Sequence, residues 1–365
     1  MKKAAIALLL CSTLASCATH NKDEEFQNSL KKVWREKFVE DFYDTKSLNV
    51  FVVTSRKAKY GVFGCSNEQF GIDSDKSLKF GSCKVSVPKN HEVGIIDPAK
   101  NGQHSLHDYF KVLETATLQE TDLIDSLKNS GRTPLVFVHG FNVKYQEAVF
   151  RAAQIAYDLK YQGPIVLFTW PAGAKEGFFE EAMVNRTYEN NLTNAKGSIA
   201  TFKSFLLDLQ KNDVKINLMV HSMGHQVVLP ALKELGELKP KTPLVRELIL
   251  NAPDFDVKEF SNLNKQIKLI SSRITLYCSN NDKALLASKT INKSERLGTC
   301  AALENIDTVN VSLVDDPSIG LGHGYYSSRA ILSDVFQITL GIDADKRLFI
   351  RKSEPNSAEK YFLRL

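Results

Sequence analysis

An α/β fold with a mostly parallel sheet and helices on both faces is predicted from three features of the chain. Strand-like and helix-like segments alternate from Pro134 onward. One apolar strand runs directly into Ser222 and then a helix, and an earlier one closes on His139-Gly140. Alternation of this kind lays successive strands side by side in parallel, with the helices as crossovers. The 365 residues, 43% hydrophobic and 24% charged, hold enough apolar surface for a sizeable core. The formal charge of +5 becomes +3 once Lys2 and Lys3 of the leader are set aside. That balance is too weak for the dense basic patch of a nucleic-acid binder, and a solvated, mildly basic surface is expected instead.

Lys2 and Lys3 precede an apolar run, Ala4 to Leu10, which is the layout of a secretory signal. The run is too short to span a bilayer, which takes about 20 apolar residues. The leader ends in Leu14-Ala15-Ser16-Cys17, which resembles the lipobox of bacterial lipoproteins. The resemblance implies a signal peptide over 1–16, diacylation of the Cys17 sulfur and acylation of the new amino terminus. Several acyl chains anchor firmly, at about 0.8 kcal/mol per buried methylene. Ala18 rather than Asp follows, which by the same resemblance points to the outer membrane, facing the periplasm. The alternative is a soluble exported protein in which Cys17 is incidental.

Residues 17–45 read as a lipidated tether and an amino-terminal helix, Leu30 to Phe42, with Trp34, Phe38 and Phe42 on one face. Residues 46–130 hold two strands, Asn49–Ser55 and Lys84–Val87, with loops between them. These could form the antiparallel start of a mixed sheet. The core, 131–342, follows with strands near 135–138, 164–168, 215–220, 247–250, 273–277 and 307–314. Helices are expected over 146–159, 195–209 and 224–235. Residues 343–365 read as a carboxy-terminal tail. The stretches Ala172–Asn194, with Phe178 and Phe179, and Asn251–Ser272 leave room only for short covers, so a comparatively open site is expected.

Of six cysteines, Cys11 lies in the leader and Cys17 would carry lipid. An exported chain meets an oxidising compartment. The remaining Cys65, Cys83, Cys278 and Cys300 allow three pairings. Proximity in sequence favours Cys65–Cys83 and Cys278–Cys300, with four buried free thiols as the alternative. No metal-ligand spacing and no cofactor motif is found.

The strongest local pattern is Asn217-Leu218-Met219-Val220-His221-Ser222-Met223-Gly224-His225. A serine on a sharp strand-to-helix turn projects its Oγ above the sheet, and the cramped turn needs small residues two positions either side. Gly224 meets that need; Val220, where glycine is usual, does not. Ser222 as a mere helix cap is the bland reading. His139-Gly140 closes the first clearly parallel strand. Alone it is a weak motif, but together with the later serine turn it offers two N–H groups to one oxyanion, from Phe141 and from Met223.

The order serine, acid, histidine fits this kind of fold. Of eight histidines, only His225 and His323 follow Ser222. His225 sits on the departing helix, whereas His323 lies in the loop Gly320-Leu321-Gly322-His323-Gly324-Tyr325, where a general base belongs. Asp282, just past a strand, is the leading acid. Asp254 and Asp256 are alternatives, as are Asp315 and Asp316.

Val136–Asn142, Phe168-Thr169-Trp170-Pro171, the His-Ser-Met-Gly turn, Ala252-Pro253-Asp254, Leu276-Tyr277 with Asn281–Leu285, and Gly322-His323 together resemble a family of bacterial α/β-hydrolases of unknown function in the esterase/lipase superfamily. Thr54-Ser55-Arg56 and Phe80–Pro88 resemble that family's amino-terminal region. The resemblance implies the α/β-hydrolase fold and a serine hydrolase with Ser222, Asp282 and His323 as its triad. It supplies no substrate. Hydrolysis of an acyl ester through an acyl-enzyme is the expected activity. Acyl transfer or amide hydrolysis with the same groups, or a non-catalytic envelope scaffold, are the alternatives. Expected partners are the acyl substrate and, through Cys17, a membrane.

Overall fold

A computed structural model describes residues 47–89, 91–97, 109–174, 181–314, 323–325 and 328–364, with the side chains of 181–184 left aside. The leader, Cys17, the Leu30–Phe42 helix, Phe178, Phe179, Asp315 and Asp316 lie outside the described residues.

Eleven strands form one sheet in the order β10-β11-β9-β8-β7-β6-β4-β5-β1-β2-β3. The strands are β1 (Ser47–Ala58), β2 (Phe70–Ser86), β3 (Lys111–Leu118), β4 (Leu135–Val138), β5 (Ile165–Thr169), β6 (Ile216–His221), β7 (Val245–Asn251), β8 (Ser271–Cys278), β9 (Asp307–Asn310), β10 (Ile350–Lys352) and β11 (Tyr361–Leu363). From β1 through β5, β4, β6, β7, β8 and β9 to β11 every pairing is parallel. The pairs β1–β2, β2–β3 and β10–β11 are antiparallel.

The central strands are buried on both faces, so they read as unbroken apolar runs rather than alternating ones. Leu135-Val136-Phe137-Val138 is wholly buried. Its side chains still alternate, Val136 and Val138 joining one core layer and Leu135 and Phe137 the other. The helices are α1 (Glu120–Asn129), α2 (Tyr145–Asp158), α3 (Glu181–Gly197), α4 (Ile199–Lys211), α5 (His225–Glu237), α6 (Val257–Ile270), α7 (Lys283–Asn292) and α8 (Arg329–Thr339). Buried residues of α2 and α8 fill one core layer, and those of α4, α5 and α6 the other.

Several segments differ from the sequence reading. Residues 46–130 also hold β3 and α1, and the helix expected over 195–209 is the end of α3 and most of α4, which meet at Ser198. The stretch expected as loops before Lys84 is strand from Phe70, because β2 bends past two register shifts along β1 and keeps pairing. The residues after 342, expected as a tail, add β10 and β11 to the sheet edge, with Tyr361 and Leu363 buried. Residues 251–272 hold no cover: α6 is an ordinary crossover whose Phe260, Ile267 and Ile270 pack in the core. Disulfides join Cys65 to Cys83 and Cys278 to Cys300.

Candidate active site

The chain leaves β4 for β5 on one side and returns to β6 on the other, so β4 and β6 are neighbours at the point where strand order reverses. In open α/β sheets a crevice opens there, beyond the carboxyl ends of the strands. His139-Gly140 follows β4 and Ser222 follows β6.

Ser222 has φ +53, in the left-handed region that costs an L-residue roughly 1–2 kcal/mol. A single 3-10 turn, Ser222–Gly224, leads into α5. Two glycines let the β4 and β6 turns touch. A Cβ on Gly140 would sit 2.7 Å from Ser222 Cβ, and one on Gly224 would sit 2.5 Å from His139 O. Val220 is accommodated without exposure in the core layer that also holds Val227 and Val228 of α5.

Asp282 and His323, far apart in sequence, meet at 2.6 Å between Oδ2 and Nδ1. Asp282 is fully buried. Its Oδ1 accepts the Leu285 N–H at 2.9 Å and so caps α7. The His323 carbonyl accepts from His221 Nε2 at 2.9 Å, and the two rings lie 4.8 Å apart, which brings His323 against the residue that precedes Ser222. Among the described residues no hydrogen bond joins Ser222 Oγ to the His323 ring. His323 keeps 15% of its side chain exposed, so the ring is reachable from solvent.

The other acids are engaged elsewhere. Asp254 accepts from Tyr188 Oη at 2.8 Å and Ser288 Oγ at 2.5 Å, and Arg296 lies 3.5 Å away. Asp256 caps α6 through the Glu259 N–H. His225 turns its Nδ1 back onto the Ser222 carbonyl at 2.6 Å. Met223 is buried in the first turn after the serine, where backbone N–H groups lack intrahelical acceptors. Phe141 follows Gly140, and among the described residues no acceptor takes its N–H.

The sequence reading missed several supports. Tyr188 ties α3 to Asp254 and packs its ring 5.9 Å from Phe141. Asn191 binds Asn142 N and Gly173 N through Oδ1. The Trp170 indole donates to His139 O at 2.9 Å. Arg56 and Thr169 form hydrogen bonds behind the His139 turn. Thr54-Ser55-Arg56 and Phe168-Thr169-Trp170-Pro171 carry part of the family resemblance, but nothing in the sequence shows that Arg56 and Thr169 meet.

Burial, aided for His139 by the Arg56 charge, lowers the pKa of His139 to about 3. Burial likewise lowers His225 to about 3 and pushes His221 well down. All three are neutral in the fold. An unfolded histidine takes up a proton below about 6.5, so the unfolded state binds more protons between there and about 3, and stability falls with pH in that window. From pH 7 to pH 5, His139 and His225 together are expected to cost about 4 kcal/mol. Urea unfolding at the two pH values reads this; an unchanged midpoint would mean that these rings become charged in the fold.

This strand order, with a left-handed serine elbow at the switch point and a histidine–aspartate pair arriving from later loops, defines an α/β-hydrolase. The family model described as alpha/beta hydrolase of unknown function (DUF900) matches residues 115–340, well over half of the chain. The chain belongs to that family. No curated protein matches it in sequence.

Proposed function

We propose that the protein is a serine hydrolase that cleaves a carboxylic ester through an acyl-enzyme on Ser222. The observation that carries the reading is the Asp282–His323 bond of 2.6 Å delivered beside a serine held at φ +53. Asp282 fixes the ring proton on Nδ1, which leaves Nε2 as the general base. His323 takes the Ser222 hydroxyl proton as Oγ attacks the carbonyl carbon. The negative charge passes to the carbonyl oxygen, where the Phe141 and Met223 N–H groups receive it. Collapse expels the alcohol, which leaves with the proton from His323. Water then repeats the sequence and frees the acid.

Reaction with a fluorophosphonate probe tests this. One adduct located on Ser222 by mass spectrometry, and turnover of short-chain esters, is the expected result. A folded protein that forms no adduct would sink the hydrolase reading in favour of a scaffold. Anchoring of the enzyme to the envelope through acylated Cys17 belongs to the same proposal, supported by the Leu14-Ala15-Ser16-Cys17 pattern. Incorporation of a palmitate analogue that survives in Cys17→Ser would count against it.

A further inference from the structure

Arg56, on β1, is a core cation, 1% exposed, with no carboxylate paired to it among the described residues. The Glu147 charge acts on it without a direct ion pair, and burying a charge so weakly countered is costly. Nε donates to Thr169 Oγ1 at 3.0 Å, Nη1 to Gly71 O and Ala172 O at 2.8 Å, and Nη2 to Val143 O at 2.9 Å. Burial pulls its pKa down to about 9, still above neutrality, so the guanidinium is charged at pH 7.

The direction of the next bonds follows from who can donate. Arginine only donates, so Thr169 Oγ1 accepts from it and keeps its own proton to give. His139 Nδ1 lies 3.0 Å from Gly140 O, which only accepts, so Nδ1 carries the proton of the neutral ring. Nε2 is therefore bare, and it accepts the Thr169 hydroxyl proton at 2.8 Å. The reverse tautomer would set two acceptors against each other at Gly140.

We propose that Arg56, Thr169 and His139 form a one-way relay of hydrogen bonds that positions the Phe141 N–H of the oxyanion hole. Gly140 O and the Phe141 N–H belong to one planar trans peptide and point in opposite directions. Holding the oxygen on the His139 ring turns the N–H to the other edge, where no described acceptor takes it. The preceding peptide is fixed as well, by Trp170 Nε1 on His139 O. Arg56 supplies the direction: without it, Thr169 Oγ1 is free to accept, and the ring can move its proton to Nε2 and release Gly140 O. None of the three touches a reacting atom; they are positioning residues. The kinetic consequence rests on the hydrolase reading, whereas the ring tautomer does not.

The test pairs the two. Ring nitrogen shifts of protein labelled with nitrogen-15 histidine are expected to show the His139 proton on Nδ1, and on Nε2 in Arg56→Met. Asparagine at 139 places an amide donor where Nδ1 stands, and glutamine places one where Nε2 stands. His139→Asn is therefore expected to keep most of kcat. His139→Gln is expected to lose about a hundredfold in kcat with KM little changed, the usual cost of one oxyanion donor. A wild-type ring protonated on Nε2, or equal kcat in the two variants, overturns the relay. Absence of any Ser222 adduct in the wild type would instead fault the hydrolase reading, with the ring proton still deciding the relay.

Discussion

Ser222→Gly is expected to lose ester turnover by about 10⁶-fold, the scale set by removing the nucleophile of a serine triad, and to unfold at higher urea than Ser222→Ala. The two variants lack the same hydroxyl and differ in what the elbow asks of the backbone. Ser222 stands at φ +53, where alanine keeps the Cβ clash and glycine does not. Relief of that strain, less the greater freedom of glycine in the unfolded chain, leaves the glycine variant about 1 kcal/mol ahead of alanine. Paired urea melts and ester assays read both effects. Equal stability would mean that the elbow is not strained at this residue. Retained turnover in either variant would place the nucleophile elsewhere.

Buried parallel strands need continuous apolar runs, and Leu135–Val138, Ile165–Phe168 and Leu218–Val220 are such runs, so the sheet's centre was legible. Its margins were not. Most of β2 is half-exposed, with Asp73 to Ser77 in its course, and β10 and β11 are only three residues each, so neither carries a strong pattern. Their place in the sheet comes from partners distant in the chain. In the site, Ser222 and His139-Gly140 were visible because a sharp turn restricts residue type locally. The hydrogen bonds behind that turn were hidden because Arg56, Thr169 and His139 come from three separate strands. Val220 shows the limit of a motif: the space reserved for glycine depends on the packing against the next helix, and here the core layer around Val227 and Val228 takes the larger side chain.

Asp282→Asn separates the acid's chemistry from its structural duty, and it is expected to lower kcat by about 10⁴-fold while leaving stability nearly unchanged. Asp282 does two things at once: Oδ2 orients His323 and Oδ1 caps α7. Asparagine caps a helix as well as aspartate does, so the Leu285 N–H keeps its acceptor. Turned to keep that bond, the amide presents its NH₂ to His323 Nδ1. The ring must then carry its proton on Nε2, the nitrogen meant to act as base, which is the wrong tautomer for catalysis. Asp254 supplies the contrast. Its carboxylate accepts from Tyr188 and Ser288 and lies 3.5 Å from Arg296, itself only 4% exposed. Asp254→Asn removes the buried carboxylate beside that guanidinium and leaves only the more exposed Asp256 charge near it, at up to about 3–5 kcal/mol, and does not touch the His323 ring. The two isosteric substitutions are thus expected to split cleanly, one losing rate and the other losing stability, measured by ester kinetics at low temperature beside thermal melts. A rate loss that followed Asp254 instead would move the acid to the strand before, and with it the geometry on which the triad is drawn.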